Sequence, residues 1–258
     1  MKVLAVVGTT RKRGDNYHVI REIEASLRRM GGVEVEYLFL SEFELGFCLG
    51  CCACIFKGEE HCPKRALTRQ IEGKMLEADG VILAAPVYGH QVPALLKNFI
   101  DHFCYFFHRP RFFDKVAVIV ATTGGSGLQE TVGYMKFTAI GWGFTVAGSL
   151  GVVSRLFQEN GAYREDKLNE INGLAARMVR LIESGRRPAP SLFELMFFRG
   201  IRYKAKMNPC DRRYWEERGW LTGQYFVKTP IHPVKLLLAG LAEKTMGLTE
   251  RVKMGKYR

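Results

Sequence analysis

Apolar positions along the chain alternate between two periods. Lys2-Val3-Leu4-Ala5-Val6-Val7 is a short Val-rich run, and Val19, Ile20, Ile23, Leu27 and Met30 then recur at helical spacing. The intervening residues 8–16 are polar and glycine-flanked, so the opening predicts a buried strand, a loop and an amphipathic helix. Gly31-Gly32 ends that helix, and the alternating stretch 33–40 predicts strand two. A helix over 67–78, with Ile71, Met75 and Leu76 on one side, precedes a short buried strand over 80–84. After a loop at 86–91, Val92, Leu95, Leu96, Phe99, Ile100 and Phe103 form a helical stripe. Residues 115–121 predict strand four, 122–127 a glycine-rich loop, and the following stretch a helix to about 141. Strand five is expected over 145–153, and Ile171, Leu174, Ala175, Met178, Val179 and Ile182 mark the next helix.

Strand and helix thus alternate through the first 185 residues or so, the pattern of a parallel sheet with helices on both faces. Ligands of such sheets sit at the carboxyl ends of the strands, near the point where strand order reverses. Loops 8–16, 86–91 and 122–127 are placed to meet there. Beyond them, Arg186-Arg187-Pro188-Ala189-Pro190 reads as a linker, with helix candidates over 192–207 and 233–246 and an aromatic stretch, 211–220, holding Tyr214, Trp215 and Trp220. The expected division is an α/β domain over 1–184 and a helical C-terminal extension over 185–258. Aromatic, Lys and Arg residues in this tail fit a membrane-surface helix, a partner surface, or an extension packed on the core or on a second subunit. The spread of apolar residues through the whole tail favours the extension.

A net charge of +12 favours anionic ligands, with the excess visibly concentrated toward the C-terminus. No helix-turn-helix, zinc-finger or RNP-type signature accompanies the charge, so nucleic acid is not expected as a partner. No apolar run reaches the roughly 18 to 20 residues needed to cross a bilayer, so no transmembrane segment is expected. The N-terminus is a strand pattern without a signal-peptide layout, and the expectation is a cytoplasmic protein.

The loop after strand one aims backbone N–H groups and a helix N-terminus at one point, which suits a phosphate. Thr9, Thr10 and Asn16 add neutral donors and Arg11 adds charge. The loop matches neither the P-loop nor the dinucleotide fingerprint. Pro86-Val87-Tyr88-Gly89-His90 offers backbone donors and an aromatic face, as a flat redox-active ring requires. Thr122-Thr123-Gly124-Gly125-Ser126-Gly127 supplies a second edge where glycines admit close backbone approach.

In this order, the blocks Gly8-Thr9-Thr10-Arg11 through Asp15-Asn16, then Pro86-Val87-Tyr88 with Leu95-Leu96-Lys97-Asn98-Phe99-Ile100-Asp101-His102, then Thr122 to Gly127, resemble the NADPH-dependent FMN reductases of the flavodoxin-like superfamily, and within them the iron–sulfur flavoproteins. The resemblance covers residues 1 to about 184 and implies a flavodoxin-like three-layer sandwich with a five-stranded parallel sheet. It implies that Thr9, Arg11 and Asn16 hold the FMN phosphate. Pro86, Val87, Tyr88, Gly89 and His90 would line the ring and ribityl chain, and Thr123, Gly124, Gly125 and Gly127 would contact the pyrimidine side of the ring. Two departures stand out. Asp15-Asn16 replaces the family's usual Asn-Thr, which is compatible with a phosphate if Asp15 caps the helix with its carboxylate turned away. Gly89-His90 replaces the usual bulky residue after the tyrosine. His90 either donates to the flavin or sits at the pocket rim, the latter preferred because hydride transfer needs no protein acid.

Seven cysteines are present, five of them between Cys48 and Cys62. In a chain without a secretion signal this clustering suggests metal or redox chemistry. Cys48-x2-Cys51-x2-Cys54-x7-Cys62-Pro63 resembles a ferredoxin run with a lengthened last interval. By that resemblance Cys48, Cys51, Cys54 and Cys62 would ligate a [4Fe–4S] cluster, with bare packing thiols and a zinc site as the alternatives.

Three functions are therefore open. The first is an FMN-dependent oxidoreductase taking hydride from NAD(P)H and passing electrons to a small-molecule acceptor. The second is an iron–sulfur flavoprotein that exchanges electrons with ferredoxin. The third is a non-redox nucleotide or nucleic-acid binder. The resemblance also implies a homo-oligomer, because flavodoxin-like reductases commonly pair so that one subunit borders the other's flavin.

Overall fold

The computed structural model describes residues 1–255, and side-chain surroundings through Glu243 together with Thr245. Its elements run β1 Lys2–Val7, α1 Asp15–Arg29, β2 Glu34–Phe39, α2 Ala53–Phe56, α3 Arg65–Glu77, β3 Gly80–Pro86, α4 Ala94–His102, β4 Val116–Thr123, α5 Leu128–Trp142 and β5 Thr145–Val153. There follow α6 Ser154–Glu159, α7 Gly161–Ser184, α8 Leu192–Ala205, α9 Pro209–Glu217 and α10 Pro233–Gly255. The five strands predicted from periodicity are all present. The short helices α2 and α6 were not anticipated, because four to six residues are too few to establish a helical period.

The chain divides into two compact units. The first holds Met1–Cys51, Pro63–Cys104 and Arg111–Arg186, and contains the sheet. All strands are parallel in the order β2-β1-β3-β4-β5, so strand order reverses between β1 and β3. This is the flavodoxin-like arrangement. The central strands β3 and β4 are buried almost throughout, which explains their unbroken apolar sequence. The edge strand β2 carries Glu34 and Glu36, charges that discourage pairing with another chain. Val3, Ala5, Val7, Ile82, Val118 and Val120 pack on one face against Val19, Ile20 and Ile23 of α1 and Ile171 and Ala175 of α7. The alternate residues Leu4, Val6, Leu83 and Ile119 are also buried, so the sheet is covered on both faces. Phe99 of α4 meets Trp142 of α5 with ring centroids 5.7 Å apart.

The second unit gathers Cys52–Cys62, Tyr105–Pro110 and Arg187–Arg258. Ser191 and Glu194 form a full capping box at the start of α8. Leu195 and Phe198 point inward from that helix, and Phe198, Trp215, Trp220 and Phe226 form an aromatic core in which Phe198 stacks on Trp215 and the other pairs meet edge to face. The polar handles of the tryptophans are satisfied: Trp215 donates to the His108 carbonyl and Trp220 to the Phe226 carbonyl, each at 2.8 Å. Burial pushes the Tyr225 hydroxyl up to about 12, against the opposing charge of Arg187. Arg109 is buried and donates to Asp211 and to the Cys54 carbonyl, with Glu59 at 3.1 Å, so its charge is paired. Among the described residues no helix is long and apolar enough to cross a membrane.

Helices α8 and α10 are joined by Arg199 and Arg202, which both bind Glu243. Burial opposes ionisation of Glu243, but the hydrogen bonds from Arg202 and Arg199 outweigh it and hold its carboxyl below the usual range. A carboxyl whose folded value is depressed contributes stability above its unfolded value and loses it as pH falls through the folded one. Amide-exchange protection of α8 and α10 is therefore expected to decline as pH drops below 4.5, the ordinary glutamate value. In Glu243→Gln that dependence should flatten.

Candidate functional site

The three predicted loops all leave the carboxyl ends of β1, β3 and β4, within the first unit. Each is tied to another. The Gly8 N–H donates to the Ala84 carbonyl at 2.8 Å, and the Val87 N–H donates to the Thr122 carbonyl at 2.8 Å. Asn16 reaches across 106 residues to donate from Nδ2 to Thr122 Oγ1 at 2.9 Å. Thr122 and Ser126 belong to the predicted glycine-rich loop, but neither was among the residues assigned to the cofactor from sequence. Nothing in a Thr-Thr pair at a strand end signals which hydroxyl turns toward a neighbouring loop.

In the first loop, Thr9 is buried and its Oγ1 accepts from the Arg11 N–H at 3.2 Å, while Arg11 itself is exposed. Asp15 does not cap α1. Gly14 occupies the N-cap position without any side-chain cap, and Asp15 is the first helical residue. Its carboxylate accepts from Gln158 Nε2 at 2.8 Å, so it is engaged by α6. The first-turn N–H groups of α1 consequently have no capping side chain, which leaves them for an anion. Asn16 is buried, and its Oδ1 has no hydrogen-bond partner among the described residues. An end-for-end turn of the amide exchanges the roles: Oδ1 then accepts from the Thr122 hydroxyl and Nδ2 becomes the spare donor. The first loop therefore fits a phosphate.

The second loop is a tight turn. Tyr88 and Gln91 exchange backbone hydrogen bonds of 2.8 and 3.0 Å, and both central residues, Gly89 at +55° and His90 at +62°, have positive φ. That is the backbone of a type I′ turn. Pro86 and Val87 are half-buried, whereas Tyr88, Gly89 and His90 are exposed. The His90 ring has Nε2 3.1 Å from Ser126 Oγ.

The third loop is locked from within. Thr123 Oγ1 donates to the Ser126 carbonyl at 3.0 Å and accepts from the Gly125 N–H at 3.1 Å. Gly124 and Gly125 are exposed, with nothing within 4 Å of where a Cβ would sit. Gly127 is the opposite case. It has a φ of +88°, and a Cβ there would come 2.8 Å from both His90 Cα and Val87 Cγ1. The second and third loops thus approach at a point only glycine allows. A cavity of about 370 Å3 lies beside the first turn of α1, bordered by Asp15, His18, Val152, Ser154, Phe157 and Gln158. Sequence reading did not find it, because the residues of α1 and α6 that frame it are about 140 positions apart.

The cysteine run behaves differently. Cys48 and Cys51 belong to the first unit, and Cys54 and Cys62 to the second. Cys48 is half-buried, with its N–H on Asn98 Oδ1 at 2.9 Å and its thiol 3.7 Å from the Asp101 carbonyl. Cys51 is exposed, Cys54 is buried and Cys62 is half-buried. Cys52 sits in the left-handed region at the start of α2, with φ of 54°. Among the described residues no group of three or more His, Cys, Asp or Glu side chains is arranged to hold a metal ion.

The sequence model of the NADPH-dependent FMN reductase family matches residues 1–157. An iron–sulfur flavoprotein of Archaeoglobus fulgidus is 29% identical over 231 residues, covering 86% of this chain and all of that one. An iron–sulfur flavoprotein of Clostridioides difficile is 25% identical over 232 residues, covering 85% of this chain and 99% of that one. Among solved structures, the azoreductase AzrA superposes with a TM-score of 0.55 at 17% identity, covering 69% of this chain and all of that one. At that identity the likeness concerns the fold. The Gly127→Ala variant, strained in φ and pressed on the His90 backbone, is expected to lose about 1–3 kcal/mol of stability in urea unfolding.

Proposed function

Because the chain belongs to the NADPH-dependent FMN reductase family, we propose that it is an FMN-dependent oxidoreductase that draws electrons from NAD(P)H and delivers them to a small-molecule acceptor. The observation that carries this reading is the linkage of three turns at the carboxyl edge of the sheet. One turn is built for an anion, and the other two are built for close backbone approach. Bound FMN would supply two-electron chemistry on a flat ring.

The residues of the chain supply the rest. Uncapped N–H groups of α1, with Thr9, Arg11 and Asn16, hold the phosphate. Pro86, Val87 and Tyr88 form the apolar wall, with Gly89 and His90 turning the chain at its rim. Thr123, Gly124, Gly125 and Gly127 present backbone to the polar edge of the ring, where fixed N–H donors stabilise negative charge without reorganisation. The Asp15 carboxylate is engaged by Gln158 of α6 and is not used as a cap on the α1 N–H groups. The same reading places the protein in the cytoplasm.

A second reading follows from the cysteine spacing and from the similarity to iron–sulfur flavoproteins: an iron–sulfur flavoprotein that exchanges electrons with ferredoxin through a [4Fe–4S] cluster. The spacing and that similarity are its support.

Purified protein is expected to bind FMN, to bleach on addition of NADPH without air, and to gain about 2.7 kcal/mol of stability at FMN a hundredfold above Kd. Asn16→Ala should weaken FMN about tenfold, the loss of one buried hydrogen bond to a charged group. Absence of any FMN-dependent rise in Tm would overturn the reading. For the second reading, about four iron and four acid-labile sulfide per chain are expected in anaerobically prepared protein, and Cys54→Ala should abolish them. Iron at background would exclude it while leaving the FMN reading intact.

A further inference from the structure

Between α9 and α10 the chain forms neither helix nor strand, and residues of this connection border a cavity of about 410 Å3. All of them belong to the second unit. The connection is pinned at three points. The Trp220 N–H donates to the Trp215 carbonyl at 2.9 Å, and Arg202 donates to the Gly223 carbonyl at 2.8 Å. The Trp220 indole donates to the Phe226 carbonyl at 2.8 Å. Trp220, Tyr225 and Phe226 line the cavity, and each is more than nine-tenths buried. Their rings brace one another, with centroids 4.9 Å apart for Trp220 and Phe226 and 5.3 Å for Tyr225 and Phe226. The aromatic side of the cavity is therefore formed before any ligand arrives.

The polar part of the lining has one sign. Arg218 and Lys228 line the cavity, and no Asp or Glu is among the described residues that do. Arg218 is partly committed: its guanidinium lies 3.5 Å from the centre of the Tyr214 ring, with Glu217 at 3.6 Å. Lys228 is exposed and makes no hydrogen bond or ion pair among the described residues. Thr229 also lines the cavity, and its Oγ1 is buried with no hydrogen-bond partner. A buried hydroxyl left in that state is costly, so it calls for an explanation. The main-chain N–H groups of Val227, Lys228 and Thr229 likewise make no hydrogen bond among the described residues. An ammonium, a hydroxyl and three amides are thus left as donors along one short stretch.

We infer that this cavity binds a small aromatic carboxylate, with the ring against Trp220, Tyr225 and Phe226 and the carboxylate at Lys228 and Thr229. The volume lies in the lower part of the range of small-molecule sites, roughly 300 to 1,000 Å3, and admits two fused rings. The charge selects the anion. A carboxylate is balanced by the Lys228 ammonium, whereas a phosphate dianion would be left half-neutralised because Arg218 is shared with Glu217. An uncharged aromatic would use the rings and leave the donors unanswered. A bare inorganic anion would do the reverse. The inference is independent of the flavin reading, since every residue it uses lies in the second unit.

The test is calorimetric titration of the full-length protein, with and without added FMN, using 2-naphthoate and its uncharged counterpart 2-naphthamide. One naphthoate per chain is expected, with Kd on the order of 0.1 mM, an ordinary efficiency for so few atoms. Naphthamide should bind about tenfold more weakly. Lys228→Ala should weaken naphthoate about tenfold and leave naphthamide unchanged, the signature of one lost charge-assisted bond. Lys228→Arg should restore most of the loss. Thr229→Val should weaken naphthoate about fivefold without lowering the Tm of the ligand-free protein, because the hydroxyl it removes has no partner to lose. Lys228 is exposed, and far-UV dichroism and Tm check that its variants are folded. Absence of naphthoate binding at about 50 times that Kd overturns the inference, because a site of that affinity would be nearly filled. Equal affinity of the amide, or unchanged naphthoate binding by Lys228→Ala, also overturns it. So does displacement of naphthoate by FMN, which would place the probe in the flavin site, or by inorganic phosphate, which would make the rings irrelevant.

Discussion

At the carboxyl end of β4, the Thr122 carbonyl accepts the Val87 N–H while its hydroxyl accepts from Asn16. Three segments separated by up to 106 residues are held by the polar atoms of this single residue, which is itself 1% exposed. Buried polar groups left unpaired are costly, so each loop is committed to the position in which these bonds close. The strand order makes the arrangement possible. With β1 and β3 adjacent and β4 next, the ends of the three strands lie side by side where the chain switches direction around the sheet.

On that scaffold the loops divide the work by backbone chemistry more than by side-chain chemistry. The first leaves helix N–H groups uncapped, with Gly14 at the cap and Asp15 drawn to Gln158. The second and third depend on positive φ at Gly89, His90 and Gly127, and on the missing Cβ at Gly127. His90 is the one non-glycine in this set. A residue other than glycine in the left-handed region is uncommon, and histidine is among those that tolerate it best. Its ring reaches Ser126, so the strain is accompanied by a bond that links the second loop to the third. A site made of main-chain donors suits a cofactor that carries its own reactivity.

The second unit is built on other terms. Its core is a cluster of Phe198, Trp215, Trp220 and Phe226 with the indole N–H groups paired to carbonyls, and its buried cation Arg109 is matched by Asp211 and Glu59. Nine of the twelve net charges lie in residues 187–258, and the exposed leucines of α10 lie there too. The cysteine run is shared between this unit and the first, two thiols of the predicted four belonging to each.

Much of this was legible beforehand. Strands β1 and β5 coincide with the predicted runs, because a buried strand must be apolar throughout and an edge strand must alternate. The three loops were legible because glycine and threonine after a buried strand are what an anion or a close backbone approach requires. Residue type and spacing, being local, determined the elements, the fold class and the neighbourhood of the site. Only the tertiary structure decided which donor meets which acceptor. That Thr122 rather than Thr123 holds Asn16, that Asp15 turns to Gln158, and that α1 and α6 border a common cavity depend on pairs more than a hundred residues apart. Such pairings leave no period in the sequence, because hydrogen bonds across the end of a sheet are chosen by strand order and not by neighbours in the chain.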